Sequence, residues 1–376
     1  MLDELLVIDY IKKAEIQFCQ TFLVNIGPEL NLQLCQILRI LISISMPSFK
    51  VYKGSSEGIK EATTTKEQLV GDQVLVKVKA SGVCFADTLY QHTDMVLGHE
   101  GMGVVQEVGA GVKTLRVGDR VGWGYQTNSC GVCQQCLSGN DDYCAEREFY
   151  GMANLDQGSF AEAAVWKEGY LFKIPDNISD IDAGPLMCGG AAVWNVLHGY
   201  GLTSTSTVGV VGMGGLGHLA IQFASKMGMN VIVISTNADK KPDALKLGAS
   251  QFVVSNEGEK IDIGESKLDA LLISSSVDTK CDGYLPLLNP RATIFPLTVH
   301  FGDLKIPQFP LMAAGLRIQG TIIASRSEIK QMLQFAASRN VRPVTVQFPL
   351  NKDGIEDSIR TLSEGKMRYR GVLVAQ

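Results

Sequence analysis

A chain of 376 residues is longer than one hydrophobic core usually serves, so two domains are expected, each large enough to bury a full core. Its 45% apolar and 19% charged content excludes a disordered or fibrous protein, and its 39 glycines point to many tight turns. A net charge of −5, with no sustained Lys/Arg cluster among aromatics, excludes nucleic acid and anionic membrane as favoured partners.

Residues 1–45 are Leu/Ile-rich with scattered acids, and their longest uncharged run, 16–28, is too short to span a bilayer. Their acidic start is unlike a secretory signal. Met46 opens MPSFKVYKG as a natural fresh start, so residues 1–45 are expected to be a dispensable extension or a gene-model artefact; an added amphipathic helix is the alternative. From about residue 70, QVLVKVKASGV, GVVQEVGAGV and RVGDRVGWG read as short strands broken by glycine, which predicts an antiparallel, barrel-like domain.

Nine cysteines stand at 19, 35, 84, 130, 133, 136, 144, 188 and 281. The run SCGVCQQCLSGNDDYC places Cys130, Cys133, Cys136 and Cys144 close enough for a closed tetrahedral thiolate shell, the form of a structural zinc site. An iron–sulfur cluster is the weaker reading, because no proline or second cysteine set follows as in bacterial ferredoxins. Such clustering favours a reducing compartment, the cytoplasm. The histidines are His92, His99, His198, His218 and His300. Once the lobe has taken its four cysteines, Cys84, His99 and Cys188 are left as candidates for a catalytic zinc with an open position. Spacing alone leaves them equally readable as small core residues.

After Cys188 the pattern changes: TVGVVGMGGLGHLAIQFASKMGMNVIVIST predicts a strand, a glycine turn, a helix and a second strand. QFVVS, LDALLIS and ATIFPL extend this to a parallel doubly wound sheet reaching about residue 324, and the tail mixes helix and strand. Gly212, Gly214, Gly215 and Gly217 lie where backbone N–H groups and a helix N-terminus hold a pyrophosphate. At the end of the second strand Ser235, Thr236 and Asn237 stand where NAD sites carry an acid, and Lys240 and Lys241 can add positive charge, so NADP(H) is expected. Asp239 lies near enough in sequence to favour the 2′-OH instead.

GVCFAD, GHEGMGVV, VGDRVG, the four-cysteine lobe, AGPLMCGG and VGMGGLGHLA occur in the order found in zinc-dependent medium-chain alcohol dehydrogenases, which this chain resembles from about residue 50 onward. SGNDDYC, GPLMCGGAAVW and GKMRYRGVL look like the cinnamyl-alcohol-dehydrogenase type and its microbial aldehyde-reductase relatives. The resemblance implies a GroES-like catalytic domain from residues 46–190 and 325–376, a Rossmann domain at 191–324, and a homodimer. It makes Cys84, His99 and Cys188 the catalytic zinc ligands and Glu100 the carboxylate that approaches the metal. It gives Asp87 the outer nitrogen of His99, and Arg370 a cofactor phosphate. The implied activity is hydride transfer between NADP(H) and a zinc-bound primary alcohol or aldehyde, with two zinc ions per chain.

Departures are also visible. The family's usual hydroxyl two residues after the first ligand is Ala86, a second relay position is Leu89, and the threonine four residues after the third ligand is Ala192. Thr88, Tyr90 and His92 are candidate substitutes. The 84–99 segment is several residues short of its relatives and lacks their Tyr-Pro approach to Gly-His-Glu, implying either a more open cleft or a gene-model error. Fifteen residue steps still reach about 50 Å, so length does not forbid a shared metal. The alternatives are a catalytically impaired zinc- and NADPH-binding protein and a polyol or sugar dehydrogenase.

Overall fold

The computed structural model describes residues 47–256, 259–275, 281–299 and 302–376. The expectation about residues 1–45 lies outside them. All elements discussed below belong to one compact unit, Phe49–Thr64 with Leu69–Gln376.

The first sheet has seven strands built around Gln73–Val83. Along this strand Val74, Val76, Val78 and Ala80 are buried at alternate positions, as a strand with one face on a core requires. It pairs antiparallel with Gly101–Val108, with Ala163–Lys167, and with the C-terminal strand Arg370–Val374. In the last pairing Gly371 stands opposite Val83. That register lays the beginning of the C-terminal strand beside the chain entering Cys84. The outer strands are Arg120–Trp123 and Phe172–Lys173 on one side and Thr345–Pro349 on the other.

The second sheet has six strands, all parallel, in the order Gln251–Val254, Asn230–Ser235, Thr207–Val211, Leu268–Ile273, Leu288–Pro296, Arg317–Ile318. Val208, Val210, Val231, Val233, Leu271 and Leu272 are fully buried, so these strands are apolar runs rather than alternating ones. Each such side chain stabilises by about 1.5–3 kcal/mol relative to exposure. The helix Gly217–Lys226 covers the sheet with buried Leu219, Ile221 and Phe223. Because the neighbours of Thr207–Val211 lie on opposite sides of it, strand order reverses there, and the turn at Gly212 opens onto that switch point.

The passage between the sheets is helical. Asp180–Pro185 is capped by Ser179, Leu186–Gly190 widens into a π-turn, and Ala191–Gly199 continues beyond it. Single π-turns inside helices are frequent at functional positions, and Cys188 sits at the centre of this one.

One loop is tied by a single carboxylate. Glu168 accepts the backbone N–H of Lys113 at 3.0 Å, Thr114 at 2.6 Å and Leu115 at 3.0 Å, and the Thr114 hydroxyl at 2.8 Å. Partial burial pushes this acid up, but the donors outweigh it and hold it at about 2 against an ordinary 4.5. A depressed acid stabilises the fold fully above its unfolded value and loses that contribution as pH falls toward its folded value. Glu168→Gln is therefore expected to lower Tm by about 2–4 °C near neutrality, with the deficit shrinking between pH 4.5 and 2, in a thermal unfolding series across pH.

Candidate functional site

The four-cysteine lobe is preformed. Cys133 and Cys136 sulfurs lie 3.6 Å apart, Cys144 and Cys130 3.6 Å, and Cys130 and Cys136 3.9 Å. Tetrahedral thiolates about 2.3 Å from one zinc are separated by about 3.8 Å, whereas a disulfide needs about 2.05 Å. The backbone N–H groups of Val132 and Cys133 hold the Cys130 thiol down to about 7, readying it as a thiolate. A second tie fixes the lobe to the helix Arg326–Arg339, where Arg326 Nε donates to buried Asp141 at 3.1 Å.

Cys84, His99, Glu100 and Cys188 form a second group, with one ligand atom from each all within 4.8 Å of one another. Cys84 precedes the helix Phe85–Tyr90, His99 and Glu100 precede the strand Gly101–Val108, and Cys188 comes from the π-turn. The approach to His99 crosses the interior as Met95, Val96 and Leu97, all at most 1% exposed. Gly98 then turns with φ +89°, and a Cβ there would lie 2.3 Å from Phe160.

Asp87 stands behind this group and is fully buried. Its Oδ1 accepts from His99 Nδ1 at 3.0 Å and from Tyr150 Oη at 2.9 Å, and its Oδ2 accepts the Cys84 N–H at 2.8 Å. Burial disfavours a charged His99, but the Asp87 carboxylate outweighs burial and raises its basicity. A hydrogen bond from Cys188 holds the Cys84 thiol well below its usual range and pushes Cys188 up. Three buried polar atoms without a hydrogen-bond partner converge here: His99 Nε2, Glu100 Oε2 and Arg370 Nε. Two sulfurs, a free imidazole nitrogen and a carboxylate match the donor chemistry of zinc.

Arg370 donates to Glu100 in a buried ion pair. Burial raises Glu100 to about 7 against the pull of the guanidinium. The same guanidinium would lie 2.9 Å from a Cβ placed on Gly215. Arg370 thus lies between the cysteine–histidine group and the glycine turn.

The glycines of the turn serve separate ends. Gly212 has φ +85°, and a Cβ on Gly217 would be 2.1 Å from Gly212 O, so the strand-to-helix turn closes only without side chains at these two positions. Gly214 meets nothing within 4 Å and faces a cavity of about 200 Å³. Ser235, Thr236 and Lys240 line the same cavity. Lys240 Nζ donates to Met213 O at 2.9 Å, which draws it over the turn. Asn237 instead caps a local turn, accepting the Asp239 N–H at 2.8 Å, and neither residue lines the cavity. The acid that could have favoured a ribose 2′-OH is exposed.

Several contributors escaped the sequence reading. Tyr150 had no signal beyond an aromatic after the lobe. His218 is pushed by burial down to about 3; its Nδ1 contacts Gly214 O at 3.0 Å and its Nε2 accepts the Val344 N–H at 3.2 Å, tying the turn to the C-terminal segment. Arg368 pairs with Asp243 at 2.9 Å, and its guanidinium lies 5.6 Å from the Tyr369 ring centroid, with Lys240 at 5.9 Å. Among the relay candidates, Thr88 turns back to Phe85 O at 2.7 Å and His92 faces Ser55 O. Tyr90 interacts with Tyr125, whose ring stands edge-on to His99 at 5.2 Å.

Comparison with known proteins agrees with this arrangement. A family model described as an alcohol dehydrogenase GroES-like domain matches residues 71–176, and one described as a zinc-binding dehydrogenase matches residues 215–338. Cinnamyl alcohol dehydrogenase 7 of Oryza sativa subsp. japonica is 32% identical over 328 residues, covering 80% of this chain and 85% of its own. NADP-dependent alcohol dehydrogenase C 1 of Mycolicibacterium smegmatis is 31% identical over 348 residues, covering 87% and 98%. The solved structure of a cinnamyl alcohol dehydrogenase from Sorghum bicolor superposes with a TM-score of 0.81 at 28% identity, covering 87% of this chain and 98% of that one. With a GroES-like domain followed by a Rossmann-like one, and relatives of this identity along most of both sequences, the chain belongs to the medium-chain zinc alcohol dehydrogenase family.

Proposed function

We propose that the protein is an NADP(H)-dependent zinc alcohol dehydrogenase that acts mainly as a reductase of aliphatic or aromatic aldehydes. The observation that carries this reading is the convergence of Cys84, His99, Glu100 and Cys188 within 4.8 Å, joined to the glycine turn through Arg370. The short 84–99 segment is the ground for suspecting an impaired protein, and this convergence argues against it.

Cys84, His99 and Cys188 would hold the catalytic zinc, and Cys130, Cys133, Cys136 and Cys144 the structural one. When bound, the catalytic metal supplies Lewis-acid polarisation of the substrate oxygen, and the nicotinamide carries the hydride. The chain's own part is preorganisation. Asp87 accepts from His99 Nδ1 and so leaves the Nε2 lone pair facing the sulfurs. Glu100 adds a carboxylate whose charge Arg370 balances, and Arg370 reaches the turn where a pyrophosphate would lie. The ribose end is chosen by charge: Lys240 lines the cavity, with no acid among the described lining residues, which favours a 2′-phosphate, while Arg368 beside Tyr369 is paired with Asp243. The proposal includes a homodimer in the cytosol, where the cysteines of both metal groups would stay reduced.

Elemental analysis is expected to give two zinc ions per chain in the wild type and one in Cys188→Ala, with aldehyde reduction in that variant falling by about a hundredfold or more. One zinc in the wild type, or unchanged turnover in the variant, would overturn the assignment.

Lys240→Ala is expected to raise KM for NADPH by roughly 10–100-fold, the worth of one charge-assisted hydrogen bond, while leaving KM for NADH nearly unchanged. A wild type that prefers NADH and oxidises polyols would instead support the sugar-dehydrogenase reading.

A further inference from the structure

The short segment leaves a physical question: what holds Cys84 and His99 in one register, when they enter from different elements? Chain connectivity does not do it, since fourteen residues separate them. Two backbone N–H groups mark the entry points. The Cys84 N–H is held by Asp87 Oδ2 at 2.8 Å, and the N–H of Gly98, immediately before His99, is held by Tyr150 Oη at 2.9 Å. The two holders are joined to each other, because Tyr150 Oη also donates to Asp87 Oδ1 at 2.9 Å. One phenol therefore closes a chain from Cys84 through Asp87 to Gly98. Its ring packs against the His99 imidazole at 4.6 Å between centroids.

Tyr150 is itself well anchored. It is 4% exposed, and its N–H donates to Tyr125 O at 2.8 Å, joining the strands that enter and leave the four-cysteine lobe. Tyr90 stands edge-on to its ring at 5.4 Å. The hydroxyl gives its one proton to Asp87 and accepts the Gly98 N–H, so these two bonds fix its orientation.

We infer that Tyr150 is a positioning residue that fixes the Cys84–His99 pair for metal binding. This rests on the zinc-site reading above and deepens it. Removing the hydroxyl while keeping the ring would leave the buried Gly98 N–H unpaired and take from Asp87 one of its donors, loosening both ligands at once. Tyr150 stands one hydrogen bond beyond Asp87, the partner of His99, and outer-shell partners of ligands typically change metal affinity by 10–100-fold.

The test uses the zinc-loaded wild type, Tyr150→Phe and Cys188→Ala, with zinc release to a chelator followed over time. Cys188→Ala identifies the release phase of the lobe. In Tyr150→Phe the second phase is expected to accelerate by roughly tenfold or more while the lobe phase stays as in the wild type, and the visible spectrum of the cobalt-substituted protein should shift for that site alone. The lobe thus reports on folding within the same molecule. Unchanged release and an unchanged cobalt spectrum would overturn the inference, and so would equal acceleration of both phases, which would mark a merely structural tyrosine. A wild type that releases only lobe zinc would refute the underlying zinc-site reading and this inference with it.

Discussion

The buried pair between Glu100 and Arg370 is the constraint on which the arrangement turns. Removing a carboxylate and a guanidinium from water is costly, and such a pair is held in place only if the surrounding structure fixes both partners. Here it does. Glu100 is packed so closely on Gly82 that a Cβ there would lie 1.8 Å from Oε2, and Arg370 leaves a strand registered against Gln73–Val83. The pair joins three segments distant in sequence: the one carrying the histidine, the C-terminal strand, and the glycine turn. Losing one partner would strand a buried charge, a defect of about 3–5 kcal/mol in comparable cases.

The ligand group shows the same economy of means. Asp87 accepts from three donors, two of which belong to Cys84 and His99. Cys188 reaches the group from a widened helical turn, whose five residues place its sulfur where an ordinary α-turn would direct it differently. Cys188 comes from a helical turn, whereas Cys84, His99 and Glu100 stand at the ends of a helix and a strand, and the approach to His99 is held by burial of Met95, Val96 and Leu97.

At the cavity beside the glycine turn, the electrostatics depend on which charges reach the lining. Asp239 is two residues beyond Asn237, yet the Asn237 cap turns its backbone into a short 3-10 turn and leaves the acid exposed. Lys240 is drawn the other way by Met213 O, and the Tyr369 ring gathers Arg368 beside it. Lys240 is the charged side chain among the described residues that line the cavity, while Arg368 is paired with Asp243.

The sequence by itself determined the two sheet types, the four-cysteine lobe and the glycine turn, because each depends on periodicity or spacing within a few dozen residues. Strand Gln73–Val83 coincides with the predicted QVLVKVKASGV, and the turn at Gly212–Gly217 sits between the predicted strand and helix. It also determined that Cys84, His99 and Cys188 were the remaining candidates, although only the order of motifs raised them above core residues. Tertiary structure alone decided that they converge, that Arg370 faces Glu100 as well as the turn, that Asn237 caps a local turn away from the cavity, and that Tyr150, His218 and Arg368 belong to the sites. The reason is that these relations depend on strand register and on contacts between residues up to 270 positions apart, for which a one-dimensional pattern carries no signal.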